Sequence, residues 1–581
     1  MVTAEQVRAA VGAWTVPKLL RRNAIMHGDR PALTGADGHT RTWRDLGEEV
    51  LAVAGGLSEL GLRRGDRMLI GMSSRPEHWV VDLAAVELGA IPCTTYATLS
   101  PEQIRQVAGH SGATVVVLEG PAELARWAPA LAEMPEVKVV VVEDGPHTRY
   151  ADLLAGHAAP ITEADQGDPV AMIYTSGTTG DPKGVVLSHR NVLYQCALQE
   201  LVQPGPAHPR TVAYLPLAHI AERVLGIYQP IYTAGHVTIC ADATQLLATL
   251  TKVRPQGFFG VPRVWEKFAA GLHHVLSTMD GDLVGQAREL AAEAYRIRAT
   301  GDPLPDELAE RLAHADRAVL RPLRERLGLA EAVRLGSGAA PVPAEVLEFF
   351  GSVGLSIMEV WGLSETTGAA TSTFPDRYRA GTVGEAMPGM EIRLAEDGEV
   401  EVRGPLVFLG YLRADGRVEP AVAADGWLAT GDIGRFDDDG LLRIVDRKKE
   451  MVITASGKNI APSAIESLLR AHPLIGYAVV VGDRRPYLTA LLVLDEDVAK
   501  AYGLSTEELA TEPRVREELA AAVQRANEAL SRPEQIKAFR VLDRPWGPES
   551  AELTPTLKLR RRVIEQRYAD VIDELYVGGV S

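Results

Sequence analysis

Two valine-rich runs set the first limit on the fold. Ala113–Leu118 reads ATVVVL, Val137–Val142 reads VKVVVV, and a stretch of helical pattern separates them. Upstream, Trp43, Leu46, Val50, Val53, Leu57 and Leu60 recur at three- and four-residue steps, the stripe of an amphipathic helix. Asp66–Ser73 (DRMLIGMS) reads as a buried strand and Trp79–Leu88 as a helix. The alternation continues through Val237–Cys240, a helix near Thr244–Val253, Gly257–Val261, and a longer helix from Arg263 to about Met279. After a charged helical stretch broken at Pro303 and Pro305, strand signals return at Ala332–Leu335 and Ser356–Val360. Such alternation predicts an α/β fold with doubly wound sheets.

Beyond about residue 380 the texture changes. Glu391–Pro405 (EIRLAEDGEVEVRGP) and Leu441–Val445 read as short strands, with Asp397-Gly398 and Asp439-Gly440 as hairpin-like turns, which predicts a β-subdomain. The tail predicts an α+β unit: helices near Pro462–Ala471 and Arg514–Leu530, strands at Tyr477–Val481 and Leu488–Leu494. The formal net charge of −17 argues against a nucleic-acid partner, so any polyanionic ligand must be met by local basic groups. Cys93, Cys196 and Cys240 have neither paired nor metal-ligand spacing, and the N-terminus lacks the layout of a signal peptide. No apolar run reaches the ~18 residues of a membrane span. A reduced, cytoplasmic protein is expected, with membrane contact at most peripheral.

The richest chemistry lies in Tyr174–Gly184, YTSGTTGDPKG, directly after the apolar run Val170–Ile173. Glycines let a backbone approach closely, and a nest of N–H groups beside hydroxyls and one ammonium suits a polyphosphate. It is not a Walker A loop, because Lys183 is followed by Gly184 rather than Ser or Thr. Taken alone, the same composition also makes an ordinary turn. The full string resembles the phosphate loop of the acyl-adenylate-forming (AMP-dependent synthetase/ligase) superfamily. Further segments match that family in order. Glu359–Gly368 (EVWGLSETTG) resembles its second core motif, with Trp361 where Tyr is commoner and Ser364 where Thr is commoner. Thr430-Gly431-Asp432, Arg443–Glu450 (RIVDRKKE), Gly457-Lys458-Asn459 and Leu553–Arg560 (LTPTLKLR) follow. Individually these read as a solvated Glu, a turn Asp and an exposed charge run.

The resemblance implies an acid–thiol ligase that uses ATP and Mg²⁺, makes acyl-AMP, and passes the acyl group to coenzyme A. It assigns nucleotide contacts to Thr175, Ser176, Gly177, Thr178, Thr179, Gly180 and Lys183, and to Gly338 and Ala339 of Ser337–Pro341 (SGAAP). Glu359, Trp361, Gly362 and Ser364 join them. Glu365 and Thr175 are the implied Mg²⁺ ligands, and Asp432 and Arg447 the ribose and phosphate partners. Gly457 and Lys458 would border the pantetheine path, and Lys558 would be the catalytic lysine. The family also implies two domains, 1–445 binding AMP and the acyl group and a mobile 446–581, hinged at Asp446. Leu215–Arg223 (LPLAHIAER) and Gly260–Phe268 (GVPRVWEKF) look like bacterial long-chain fatty acyl-CoA synthetases and the animal bubblegum type. This points to a medium- or long-chain fatty acid and puts His219 between the acyl and nucleotide pockets. Some members carry a tryptophan gate where this chain has Arg223. A fatty acyl-AMP ligase loading a carrier protein's phosphopantetheine shares the first half-reaction. A catalytically silent nucleotide-binding scaffold would be expected to have lost Lys558, Glu365 or Asp432, and all three are present.

Overall fold

The computed structural model describes residues 2–155, 162–175, 183–279, 281–374, 376–547, 550–554 and 558–577. The valine runs are strands, Val115–Leu118 and Lys138–Val141, in a wholly parallel five-stranded sheet. Its spatial order is Ile91–Thr94, Arg67–Gly71, Val115–Leu118, Lys138–Val141, Thr148–Arg149. The chain steps to one side of Arg67–Gly71 and then returns to its other side, which is the reversal of a doubly wound sheet. Helices make the first three connections, residues 142–147 join the last two strands without one, and the helix ends are written locally. Ser100 caps Pro101–Ser111 in a reciprocal box with Gln103, Pro101 opens the helix, and Gly112 closes it at φ 58°.

A second sheet runs Gly257–Phe259, Arg334–Ser337 and Met358–Leu363 in parallel, then turns antiparallel through Gly368–Ser372 and Glu385–Ala386. The GVPRVWEKF segment stabilises this region. Trp265 has no exposed surface, its ring lies 5.4 Å from Phe258 and 5.1 Å from Phe350, and its Nε1 donates to the Gly336 carbonyl at 3.3 Å. A third sheet, Arg210–Ala213, His236–Ile239 and Pro31–Thr34, is parallel with an antiparallel edge at Thr40–Thr42. A fourth is antiparallel: the hairpin Pro169–Thr175/Lys183–Ser188 extended by Gly410–Leu412 and Val418–Glu419.

The chain forms two compact units. The first comprises Met1–Arg393, Glu401–Leu428 and Asp438–Leu442; the second comprises Leu394–Val400, Ala429–Asp437 and Arg443–Ser581. The partition is therefore not one cut in the sequence. Contacts inside the second unit explain this: the Lys448 ammonium pairs with Asp397 at 2.5 Å and Glu399 at 2.7 Å, and the Thr430 hydroxyl donates to the Val400 carbonyl at 2.6 Å. Asp446 lies inside the strand Leu442–Arg447 rather than in a loop. The centre of the second unit is the strand Leu488–Leu494, antiparallel to Ile475–Val481 and parallel to Ile536–Leu542. All seven of its residues are buried, because one face meets a core with Ile465 and Leu519 and the other a core with Ile564 and Ile572. Among the described residues no helix is long and apolar enough to cross a membrane.

Candidate active site

The phosphate-loop segment is the connection of a β-hairpin. Val170–Tyr174 are buried, and the last register pairs are Tyr174 with Gly184 and Thr175 with Lys183. Thr175 and Lys183 thus stand opposite each other where the hairpin opens; Ser176, Gly177, Thr178, Thr179 and Gly180 lie outside the described residues. The sequence pattern ends the expected strand at Val360, within EVWGLSETTG. In the structure Glu359, Trp361 and Gly362 are within the strand Met358–Leu363, and only Ser364–Thr366 form a short 3-10 turn. The strand runs longer because it pairs with Gly368–Ser372, Trp361 facing Thr371.

Gly362 is required by packing. A Cβ there would lie 1.7 Å from the Gly368 carbonyl oxygen, at the point where the register of the two strands shifts. Gly338 is similarly confined, since its Cβ would meet Val360 at 2.8 Å, and Ala339 has φ 70°. These small residues let two strands and a turn approach, whatever ligand role they also have. Glu359 is 5% exposed, and its charge helps to raise the pKa of both Tyr295 and Tyr378, for which burial is the first cause. Trp361 is 8% exposed.

Glu365 is held at two points. Its backbone carbonyl accepts the Phe408 N–H at 2.9 Å, and its Oε1 accepts the Tyr411 hydroxyl at 2.7 Å. The Lys183 ammonium sits 5.5 Å from the Tyr411 ring centroid. Tyr411 therefore joins the hairpin lysine to the candidate metal carboxylate. No local pattern marks it in the sequence, since only the pairing of Gly410–Leu412 with Lys183–Ser188 brings it there. Among the described residues no three His, Cys, Asp or Glu side chains cluster as a metal cage. One carboxylate with an oxygen not engaged by Tyr411 fits Mg²⁺, which takes one or two protein oxygens and completes its shell with phosphate and water.

His219 is half-buried and caps the short helix Ile220–Glu222, its Nδ1 accepting the Ala221 N–H at 3.2 Å. Next to it, Glu222 is 4% exposed and accepts the Leu215 N–H at 3.1 Å; burial pushes its pKa up to about 8 against the pull of the Leu215 and Tyr214 backbone. Arg223, at the position of the family's tryptophan gate, begins a π-helical turn and has no exposed surface. Its Nη2 lies 2.7 Å from Asp82, also fully buried, and it donates to Thr94 and Tyr228, each at 3.3 Å.

The second unit brings together Asp432, Arg447 and Lys558. Asp432, 3% exposed on the strand Leu428–Phe436, takes Arg447 Nε on its Oδ1 at 2.6 Å. Lys558 is exposed, with its backbone N–H on the Thr554 hydroxyl at 3.0 Å and the Thr554 N–H on its carbonyl at 2.7 Å. The surrounding protein and then the Arg447 charge hold its pKa below the ordinary lysine value, with Asp432 and Glu450 opposing. Asp446 is a helix cap: it accepts the Arg447 N–H at 2.7 Å and the Ser463 N–H and hydroxyl at 2.9 Å each, at the start of Pro462–Arg470. Gly457 (φ 77°) turns the hairpin Val452–Ile453/Asn459–Ile460, with exposed Lys458 beside it. A Cβ on Gly457 would meet nothing within 4 Å, so its backbone angle, not local crowding, calls for glycine.

Residues 20–412 match the family model described as AMP-binding enzyme, and residues 449–579 the AMP-binding enzyme C-terminal domain. The putative fatty-acid–CoA ligase fadD11 of Mycobacterium tuberculosis is 44% identical over 420 residues, 70% of this chain and 74% of that protein. The long-chain-fatty-acid–CoA ligase FadD15 of the same organism is 36% identical over 558 residues, 92% of each chain. Among solved structures, the adenylation domain of a carboxylate reductase from Mycobacterium chelonae superposes with a TM-score of 0.76 at 21% identity, covering 99% of this chain and 94% of that one. That last likeness concerns the fold. With a family model spanning most of its length and relatives of this identity, the chain belongs to the AMP-binding enzyme family.

Proposed function

We propose that this protein is a medium- to long-chain fatty acid–CoA ligase, forming acyl-AMP and pyrophosphate from a fatty acid and ATP and then transferring the acyl group to CoA. The observation that carries the reading is the 36% identity with FadD15 across 92% of both chains. In the first step a carboxylate oxygen attacks the α-phosphorus, two anions converge, and positioned cations lower the barrier. Thr175 and Lys183, opposite each other in the hairpin register, would receive the β- and γ-phosphates. Glu365, with the Thr175 hydroxyl, would hold Mg²⁺, which supplies charge neutralisation for the departing pyrophosphate. Gly338, Ala339 and Trp361 would border the adenine, with Glu359 among the nucleotide-binding residues. Asp432 would take the ribose hydroxyls with Arg447 steadying its carboxylate.

Lys558 is assigned to the developing charge at phosphorus. An ammonium ~4 Å from a unit charge is worth ~4 kcal/mol at an effective dielectric of ~20, about three orders of magnitude in rate. Its amine is held below the ordinary lysine pKa in part by Arg447, and an incoming phosphate reverses that bias. In the second step the thiol needs the place of the lysine, which is the physical reason for a mobile 446–581 domain turning at Asp446. Gly457 and Lys458 are assigned to the path of the pantetheine arm, and His219 to the wall between acyl group and nucleotide. Cytoplasmic action accords with ATP and coenzyme A, the two water-soluble substrates. The test is incubation with ATP, Mg²⁺, CoA and a panel of acids, read by mass spectrometry. Burial of each CH₂ contributes about 0.8 kcal/mol, so KM should fall several-fold per methylene until the pocket is full. A best acid shorter than about six carbons, or acyl-AMP that never reaches CoA, overturns the reading.

A further inference from the structure

Tyr411 sits opposite Val185 in the antiparallel pairing of Gly410–Leu412 with Lys183–Ser188. Lys183 lies two residues before Val185 and so shares its face of the strand, within diagonal reach of a long side chain. That register places the Lys183 ammonium 5.5 Å from the tyrosine ring centroid. The same phenol donates to Glu365 Oε1 at 2.7 Å, three residues after Phe408 fixes the Glu365 backbone at 2.9 Å. One short strand therefore grips both a hairpin cation and an acidic side chain on the 3-10 turn that follows a strand of a different sheet.

We propose that Tyr411 is a positioning residue for the metal and phosphate corner of the site: its hydroxyl holds Glu365 Oε1 so that Oε2 is presented to the cation, and its ring holds the Lys183 ammonium. This rests on the reading of Glu365 as the Mg²⁺ carboxylate. A lone carboxylate on a turn samples several rotamers, and a hydrogen bond to one oxygen selects among them before any ligand arrives. A cation over an aromatic face is likewise confined without losing its charge. The hydroxyl engages Glu365 and the ring engages Lys183, so a single side chain holds both groups.

Isothermal titration of the full-length protein with ATP, once with Mg²⁺ and once with a chelator, tests this without turnover. Four proteins are compared: wild type, Tyr411→Phe, Tyr411→Leu and Glu365→Gln. Tyr411→Phe keeps the ring and removes only the hydroxyl; it should weaken Mg·ATP binding five- to tenfold and leave metal-free ATP unchanged. Tyr411→Leu should also weaken metal-free ATP, because Lys183 loses its support. Circular dichroism and the thermal midpoint of Tyr411→Phe should match wild type. If Tyr411→Phe binds Mg·ATP like wild type while Glu365→Gln does not, the positioning role is overturned and the Glu365 assignment stands. If Glu365→Gln also keeps its preference for Mg·ATP, the metal assignment falls and this proposal with it. Equal weakening of both forms of ATP by Tyr411→Phe would refute a metal-directed role.

Discussion

Removing one partner of the Arg223–Asp82 pair should cost far more than removing both. Both side chains are fully buried at 2.7 Å. Breaking a buried pair by deleting one member typically costs about 3–5 kcal/mol, whereas replacing both with apolar residues is often near neutral. Here the two single variants should also differ. Asp82→Leu strands a guanidinium that cannot shed its proton, left with two long hydrogen bonds of 3.3 Å to Thr94 and Tyr228. Among the described residues Arg223 Nε has no hydrogen-bond partner, so nothing else compensates. Arg223→Met instead strands a carboxyl whose pKa burial raises, and it can take up a proton. Asp82→Leu should therefore fall at the upper end of the range, about 4–5 kcal/mol, and Arg223→Met at about 3 kcal/mol or below. The double variant should recover to within about 2 kcal/mol of wild type, a coupling of several kcal/mol. A chain of two units does not unfold in one step, so the readout must be local. Hydrogen exchange across Pro76–Glu87 and Arg223–Tyr228 reports on the two elements that the pair joins. Additive single effects, or a larger effect from Arg223→Met, would refute the reasoning.

Three further outcomes follow from the same geometry. Lys558→Ala should slow acyl-AMP formation by about a hundredfold or more while sparing thioester formation from supplied acyl-AMP, as single-turnover assays of each half-reaction would reveal; equal loss in both would remove the assignment. The Glu222 carboxyl, pushed by burial to about 8 from the ordinary glutamate value of 4.5, binds a proton in the folded state that the unfolded chain has released. Stability should thus decline as pH rises from about 4.5 to 8, and Glu222→Gln should flatten that slope in thermal scans at several pH values; an unchanged slope would contradict the buried acid. Gly457→Asn tolerates the positive φ, so it should preserve ATP–pyrophosphate exchange and slow only the CoA step. Unaffected overall turnover would put the pantetheine path elsewhere.

The sequence made the elements readable where the signal is local. Leu488–Leu494 is a strand over the residues expected, and Trp43–Glu59 carries the stripe that began at Trp43. Helix starts were harder: Pro76–Glu87 opens three residues before the expected Trp79, because Pro76 serves as the first helical residue. The candidate site was legible where residues cluster along the chain, as in Thr175–Lys183 and Glu359–Glu365. It was not legible where register creates the neighbour. Arg447 meets Asp432 across strands, Tyr411 meets Glu365 from another sheet, and Arg223 finds Asp82 from 141 residues away. Lys448 reads as one cation of an exposed run, yet Asp397 and Glu399 already neutralise it.

The second unit takes two short stretches of chain before its main body begins at Arg443. On a ribosome, Leu394–Val400 and Ala429–Asp437 emerge well before the residues they serve, and Asp397, Glu399 and Asp432 wait in the growing chain for Arg447 and Lys448. A protease cut just before Asp446 would accordingly release a fragment whose Arg447 and Lys448 have lost every carboxylate that the intact chain gives them through salt bridges. Such a fragment would be more basic at that corner than the parent protein.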